Sequence, residues 1–119
     1  SHYKNYGNSI TGLCYAHLPL GPVPDQYDAI LEYLQNIDPH LTKTEELGRD
    51  YTAEFFSCDN EPENNILTYT EEQTVFKVAE LFRAFTAKEI VEFSHGEEGY
   101  SCTQHKELIS YKFAARLRV

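Results

Sequence analysis

Ser94, His95 and Glu97 lie within four positions and are the residue types of a nucleophile, a base and an orienting acid. The surrounding pattern predicts a helix, in which neighbouring side chains point roughly 100° apart. Ser94 and His95 therefore cannot pair as nucleophile and base. We expect His95 to form a hydrogen bond near the helix end, with Glu97 capping the helix or orienting the ring.

A second pattern, Cys102-x-x-His105, is half of a zinc site. A complete site needs four ligands, or three with an open position, and no second paired motif is present. Four other potential ligands could join it only through folding: Cys14, Cys58, His17 and His95. Three widely spaced cysteines also argue against a disulfide framework. The simpler interpretation is a small buried thiol beside an exposed imidazole, with no metal and no cofactor.

The remaining motifs give no support for an enzyme. The glycines of residues 7–21 match neither a phosphate-binding loop nor a dinucleotide fingerprint, and the acids form no paired-carboxylate motif. The best binding candidate is the proline loop, residues 17–24. Leu20 and Val23 are its apolar residues, and a rigid loop loses little entropy on docking. The alternative is that both fill the core. The predicted contact residues are His17, Pro19, Leu20, Gly21, Pro22, Val23, Pro24 and Tyr27.

Local patterns predict the elements that position these residues. A helix ends at Gly7, a strand buried on both faces covers Leu13 to Leu18, and a helix runs from Pro24 to about Ile37. Residues 42–58 predict a hairpin with an exposed polar first arm. The segment from Asp59 to Asn65 predicts a solvated loop.

The last fifty residues are predicted to be helical. Two capping boxes, Thr70–Gln73 and Thr86–Glu89, start adjoining helices. A last helix covers Tyr111 to Leu117, capped by Ser110. The buried stripe of the first of these helices is Val75, Val78, Ala79, Phe82 and Phe85. The sequence thus predicts a single domain over residues 1–119, α+β but mainly α-helical, with one short buried strand, a small β-hairpin and about four helices.

Charge indicates the kind of partner. The 119 residues carry 19 acids and 10 bases, a net charge of −9, and residues 45–72 hold nine acids against Arg49 alone. The electrostatic field of so acidic a protein repels nucleic acid. We expect a basic partner, or a basic patch on another copy. Because no apolar run reaches the roughly 20 residues that span a membrane, and no signal peptide is evident, we expect no membrane contact and a cytoplasmic location.

Several short motifs follow one another in a characteristic order. They are the S-I-T-G stretch with Ser9, Thr11 and Gly12, the G-P-V-P loop at 21–24, K-E-I at 88–90, S-H-x-E with Ser94, His95 and Glu97, and I-S-Y at 109–111. In this order, over nearly the whole chain, they resemble the SocA-like Panacea domain of phage-linked proteins and bacterial antitoxins.

The resemblance implies a non-catalytic interaction domain that binds and neutralises a cognate protein toxin. Because the loop is rigid and apolar and the charge is uneven, our hypothesis is that the toxin docks on the proline loop and the adjoining hairpin, aided by the acidic residues 45–72. Self-association is an alternative. Family members normally begin with a further helix, and many carry an upstream DNA-binding module; we therefore expect more sequence upstream and no direct nucleic-acid contact from these residues. Two other functions stay open: a protease adaptor or phage-associated regulatory module, and a metal-dependent enzyme using His17, His95, His105 and the cysteines.

Overall fold

A computed structural model describes residues 1–61, 63 and 66–119, so the predicted loop Asp59–Asn65 lies partly outside the described residues. The elements in chain order are α1 (His2–Tyr6), β1 (Tyr15–Leu18), β2 (Gly21–Pro24), α2 (Tyr27–Ile37), β3 (Leu41–Leu47), β4 (Thr52–Cys58), α3 (Tyr69–Phe82), α4 (Ala87–His95), α5 (Glu98–Ser101), β5 (Leu108–Ile109) and a final 3₁₀ helix (Tyr111–Arg116). They fall into two units, Ser1–Asp25 with Asn65–Val119, and Gln26–Asn64.

The prediction of a mainly helical fold was wrong. The described residues are about 42% helical and 21% strand, so the fold is mixed α+β, with two small sheets instead of one strand and a hairpin. Much of the difference comes from the proline loop, because its second half is strand β2. β2 lies at the edge of its sheet, where proline is tolerated. Its two prolines alternate with Gly21 and Val23, whose N–H groups remain able to donate.

The first unit is organised around β1. Its sheet has the order β2-β1-β5, with both pairings antiparallel. Ala16 is buried and pairs with Val23 on one side and Leu108 on the other. Strand β5 was not predicted, because two residues give no periodicity that a sequence pattern can reveal.

Helix boundaries in the first unit follow local signals closely. Gly7 caps the C-terminal end of α1 and Ser110 caps the 3₁₀ helix, as predicted. The capping box at Thr86 is also confirmed, since its hydroxyl accepts from the Glu89 N–H. The other box lies two residues earlier than predicted, between Thr68 and Glu71.

The core of the first unit is small. Its described buried residues are Ala16, Tyr100, Ala114, His2, Thr74 and Glu97, with the glycines Gly21 and Gly99. The predicted stripe on α3 is only partly buried: Val78 and Phe82 are half-buried, whereas Val75 is exposed. Phe82, at the end of this stripe, packs edge-to-face against Phe93, with their ring centroids 5.1 Å apart. One face of α3 thus remains available as the wall of a cleft.

The second unit consists of α2 and the β3–β4 hairpin, and it confirms the hairpin predicted at residues 42–58. The strands pair from Leu41 with Cys58 to Leu47 with Thr52. Helix α2 begins at Tyr27 and not at Pro24, since Gln26 takes a left-handed conformation before it. The Tyr27 hydroxyl donates to Glu54, which also binds Lys43.

Across the described part of the chain, every helix is too short or too polar to traverse a bilayer.

The Thr86 capping box predicts a measurable stability loss. Thr86→Ala removes the side-chain acceptor for the Glu89 N–H, so we expect the free energy of unfolding to fall by about 1 kcal/mol. Urea denaturation followed by circular dichroism measures it. Lys88→Ala on the same helix is the control and should change stability by less than about 0.5 kcal/mol.

The same box sets a pH dependence. Hydrogen bonds from the Thr86 N–H and hydroxyl lower the pKa of Glu89 below its ordinary value. A lowered folded-state pKa stabilises the protein above the unfolded pKa, and this contribution is lost as pH falls through the folded value. Glu89→Gln should therefore reduce the acid sensitivity of unfolding. An unchanged stability–pH profile would contradict this.

Candidate functional site

A cleft of about 650 Å³ in the first unit brings together several residues singled out from the sequence. Ser9, Thr11, Pro22, Ser94 and Glu97 all line it. These positions are far apart in the chain, and the sheet around β1 brings them together.

The remaining wall of the cleft is largely apolar. Helix α3 contributes Val75, Val78 and Ala79, the 3₁₀ helix contributes Phe113, and Leu117 follows directly after it. Volumes of this order are typical of sites that bind small molecules, and such sites are mostly apolar with a few polar groups. A wall of this kind favours burial of an apolar group over acid–base chemistry.

Beside the cleft, Tyr100 is stacked between two imidazole rings. Its centroid lies 3.7 Å from that of His17 and 4.4 Å from that of His95. The Tyr100 hydroxyl donates to the Leu18 carbonyl at 2.7 Å. Because the three rings come from β1, α4 and α5, the stack fixes both helices against the sheet.

The two histidines differ in their polar contacts. His17 Nδ1 lies 3.0 Å from the Thr103 hydroxyl, which also lies 2.8 Å from the Gly99 carbonyl. An Nδ1–H tautomer of His17 satisfies all three groups. His95 Nε2 is buried and has no hydrogen-bond partner in the described part of the chain. The prediction was a hydrogen bond of His95 near the helix end, and this ring nitrogen does not make one there.

Glu97 does not orient His95, so that alternative was wrong. Its buried carboxylate accepts from Arg118, at 2.8 Å from Nε and 3.3 Å from the backbone nitrogen. Arg118 also donates to the Phe93 carbonyl and lies 4.1 Å from the centre of the Phe93 ring. Glu97 begins α5 through its backbone, since its carbonyl accepts from the Tyr100 N–H. The pair thus fastens the C-terminal residues to α4 and α5.

Ser94 is used structurally. Its hydroxyl donates to the Val91 carbonyl at 2.9 Å, within its own helix. It also touches the proline loop: Gly21 has φ of 134°, and a Cβ there would lie 2.9 Å from Ser94 Oγ. Only glycine fits both the conformation and the space, so Gly21 fixes β2 against α4.

The cysteines are not arranged as ligands. Cys14, Cys58 and Cys102 are all exposed free thiols, so the expectation of a buried Cys102 was wrong. Among residues 1–61, 63 and 66–119, no three His, Cys, Asp or Glu side chains converge as a possible metal site.

The predicted contact residues of the proline loop divide by exposure. Leu20 is 76% exposed at the turn between β1 and β2, and Pro19 and Pro22 are exposed beside it. Gly21 is buried, and His17, Val23 and Pro24 are half-buried. Tyr27 belongs to the second unit and binds Glu54.

Sequence reasoning missed Tyr100 and Arg118. Arg118 stands 21 residues after Glu97, and Tyr100 stands 82 residues after Leu18, so no local spacing links either pair. A tyrosine and a basic C-terminal tail were visible, but their partners depend on the fold.

Comparison with known proteins defines the class. The family model of the antitoxin SocA-like, Panacea domain matches residues 1–100. The chain belongs to this family, which confirms the resemblance drawn from its motifs and indicates an antitoxin-like domain with a non-enzymatic role and a partner of the toxin kind. No curated protein and no solved structure is significantly similar to it.

The Glu97–Arg118 pair should be important for stability. Glu97→Gln replaces the buried carboxylate with a neutral group that binds the Arg118 guanidinium more weakly, so we expect the free energy of unfolding to fall by about 1–3 kcal/mol. Arg118→Met should cost a similar amount, and the double variant should cost less than the sum.

Chemical denaturation of the four proteins in this cycle gives the coupling energy. Arg83→Met is the matched control, because Arg83 and Glu80 are both exposed at 3.4 Å and such pairs contribute about 0–1 kcal/mol. Additive losses from the two single variants would show that the pair is not coupled.

Proposed function

We propose that this chain is a non-catalytic antitoxin-type domain that binds and neutralises a cognate protein toxin. Membership of the antitoxin SocA-like, Panacea domain family carries the proposal. The site geometry supports binding over catalysis, because Ser94 is engaged within its helix and the cleft is largely apolar.

The proposed contact is the turn between β1 and β2, with Leu20 at its centre. An exposed leucine is unremarkable alone, but this one is held by paired strands between Pro19 and Pro22. A preformed turn loses little conformational entropy when a partner covers it. Pro19 and Pro22 would flank Leu20 in the contact.

The other predicted contact residues have supporting roles in this proposal. His17, through its stack with Tyr100, and Gly21, through its fit against Ser94, hold the turn in place. Val23 and Pro24 complete β2. Tyr27 would contribute separately, from the second unit.

Co-expression with the protein encoded by the neighbouring gene tests neutralisation. We expect that protein to arrest growth alone, and this chain to restore growth and to co-purify with it. Absence of both rescue and co-purification would overturn the proposal.

The Leu20 contact predicts an affinity loss. Full burial of a leucine side chain contributes about 1.5–3 kcal/mol, so Leu20→Ala should raise the Kd by about tenfold or more. Titration calorimetry of the purified pair measures it. Leu108→Ala, at a second exposed leucine, is the control and should leave the Kd unchanged. Equal Kd values for the wild type and Leu20→Ala would show that Leu20 does not contribute to the contact.

A further inference from the structure

We infer that the tip of the β3–β4 hairpin docks a basic protein surface with an apolar hollow at its centre, and that this surface belongs to the toxin. The inference rests on the proposed function and names the chemistry of its partner. The hairpin tip is defined by Tyr51 and Phe55 together with Glu45, Glu46 and Asp50.

Two large aromatic side chains are exposed at the hairpin tip: Tyr51 is 70% exposed and Phe55 53%. Leu47, which pairs with Thr52, lies on the opposite face with Glu54 and is not part of this group. Large exposed apolar groups close together mark interaction sites more often than scattered single ones do. Tyrosine and phenylalanine are also enriched at protein interfaces.

Within the second unit, α2 leaves Phe55 uncovered. Side chains alternate along a strand, so Phe55 and its partner Thr44 point away from the face that bears Glu54 and Lys43. Helix α2 covers that opposite face, where the Tyr27 hydroxyl donates to Glu54 at 3.1 Å. Phe55 therefore has no apolar cover from its own helix.

A backbone hydrogen bond and a close ring contact restrain the hairpin tip. The Gly48 N–H donates to the Tyr51 carbonyl at 2.7 Å and closes the turn. The Tyr51 ring lies so close to Gly48 that a Cβ there would come within 2.6 Å of it. An exposed aromatic ring fixed in this way loses little entropy when a partner covers it.

The negative charge of the second unit indicates that its partner is basic. The segment Gln26–Asn64 holds ten acids and two bases, a formal charge of −8 out of −9 for the whole chain. One of the two bases, Lys43, already binds Glu54 at 2.5 Å and Glu45 at 3.3 Å. A partner that covers the apolar groups must bring Lys or Arg side chains to their margin.

A second copy of this chain does not supply such a surface. The other unit holds eight bases and nine acids, so its net charge is −1. Its C-terminal guanidinium groups are engaged internally, Arg116 with Glu98 and Arg118 with Glu97. The complementary basic surface must therefore come from a different protein.

Two variants of the full chain test the inference against the protein encoded by the neighbouring gene. The charge variant combines Glu45→Gln, Glu46→Gln and Asp50→Asn, all isosteric. The second variant is Phe55→Ala. The control combines Glu72→Gln, Glu80→Gln and Glu92→Gln, which removes three exposed acids from the first unit.

Titration calorimetry at about 50 mM and about 300 mM salt separates the contributions, because salt screens exposed charges. We expect the charge variant to weaken binding by about tenfold at low salt and to flatten the salt dependence. Phe55→Ala should weaken binding by about tenfold at both salt concentrations. The control should bind as the wild type does.

Failures of the two proposals are distinguishable. If the wild type does not bind, the proposed function and this inference fall together. If the wild type binds and both hairpin variants bind equally well, only this inference falls. An equal loss in the control would indicate a long-range field and not a docking site, which also overturns it. Sedimentation that shows the wild type as a dimer and the hairpin variants as monomers would assign the surface to self-association and overturn it too.

Discussion

The backbone of residues 13–18 is the constraint on which the first unit depends. Its carbonyl groups accept hydrogen bonds from distant parts of the chain: Leu13 from the Tyr111 hydroxyl, Cys14 from the Asp25 N–H, His17 from the Lys106 N–H and Leu18 from the Tyr100 hydroxyl. A buried carbonyl without a donor is costly, so each bond fixes the segment that supplies it. One short strand thereby positions β2, α5, β5 and the 3₁₀ helix.

This arrangement explains why residues of catalytic type do no catalysis in the proposed function. Ser94 closes its helix end, His17 stacks on Tyr100, and Glu97 holds Arg118. Each of these side chains makes a hydrogen bond or a stacking contact that helps to hold the elements in place. At the cleft and at Leu20 the first unit exposes apolar surface. A surface of that kind is suited to holding another protein.

Local signals predicted a good part of the fold. Three features were predicted from the sequence: the end of the first helix at Gly7, the Thr86 capping box and the hairpin at residues 42–58. Each depends on residues that are near neighbours in the chain. The β2 strand was missed because its prolines were interpreted as part of a rigid loop. At a sheet edge, alternate prolines cost no ladder hydrogen bond. Without β2 and β5 the predicted strand content was too low, and the fold was taken to be mainly helical.

By itself, the sequence determined the acidic charge and its concentration in one segment, the helix caps and the order of motifs that places the chain in the antitoxin SocA-like, Panacea domain family. These properties follow from composition and near neighbours. Only the tertiary structure decided that Leu20 is exposed, that Gly21 fits against Ser94 and that Glu97 binds Arg118. Such contacts join residues tens of positions apart, and their formation depends on strand pairing that no local pattern encodes.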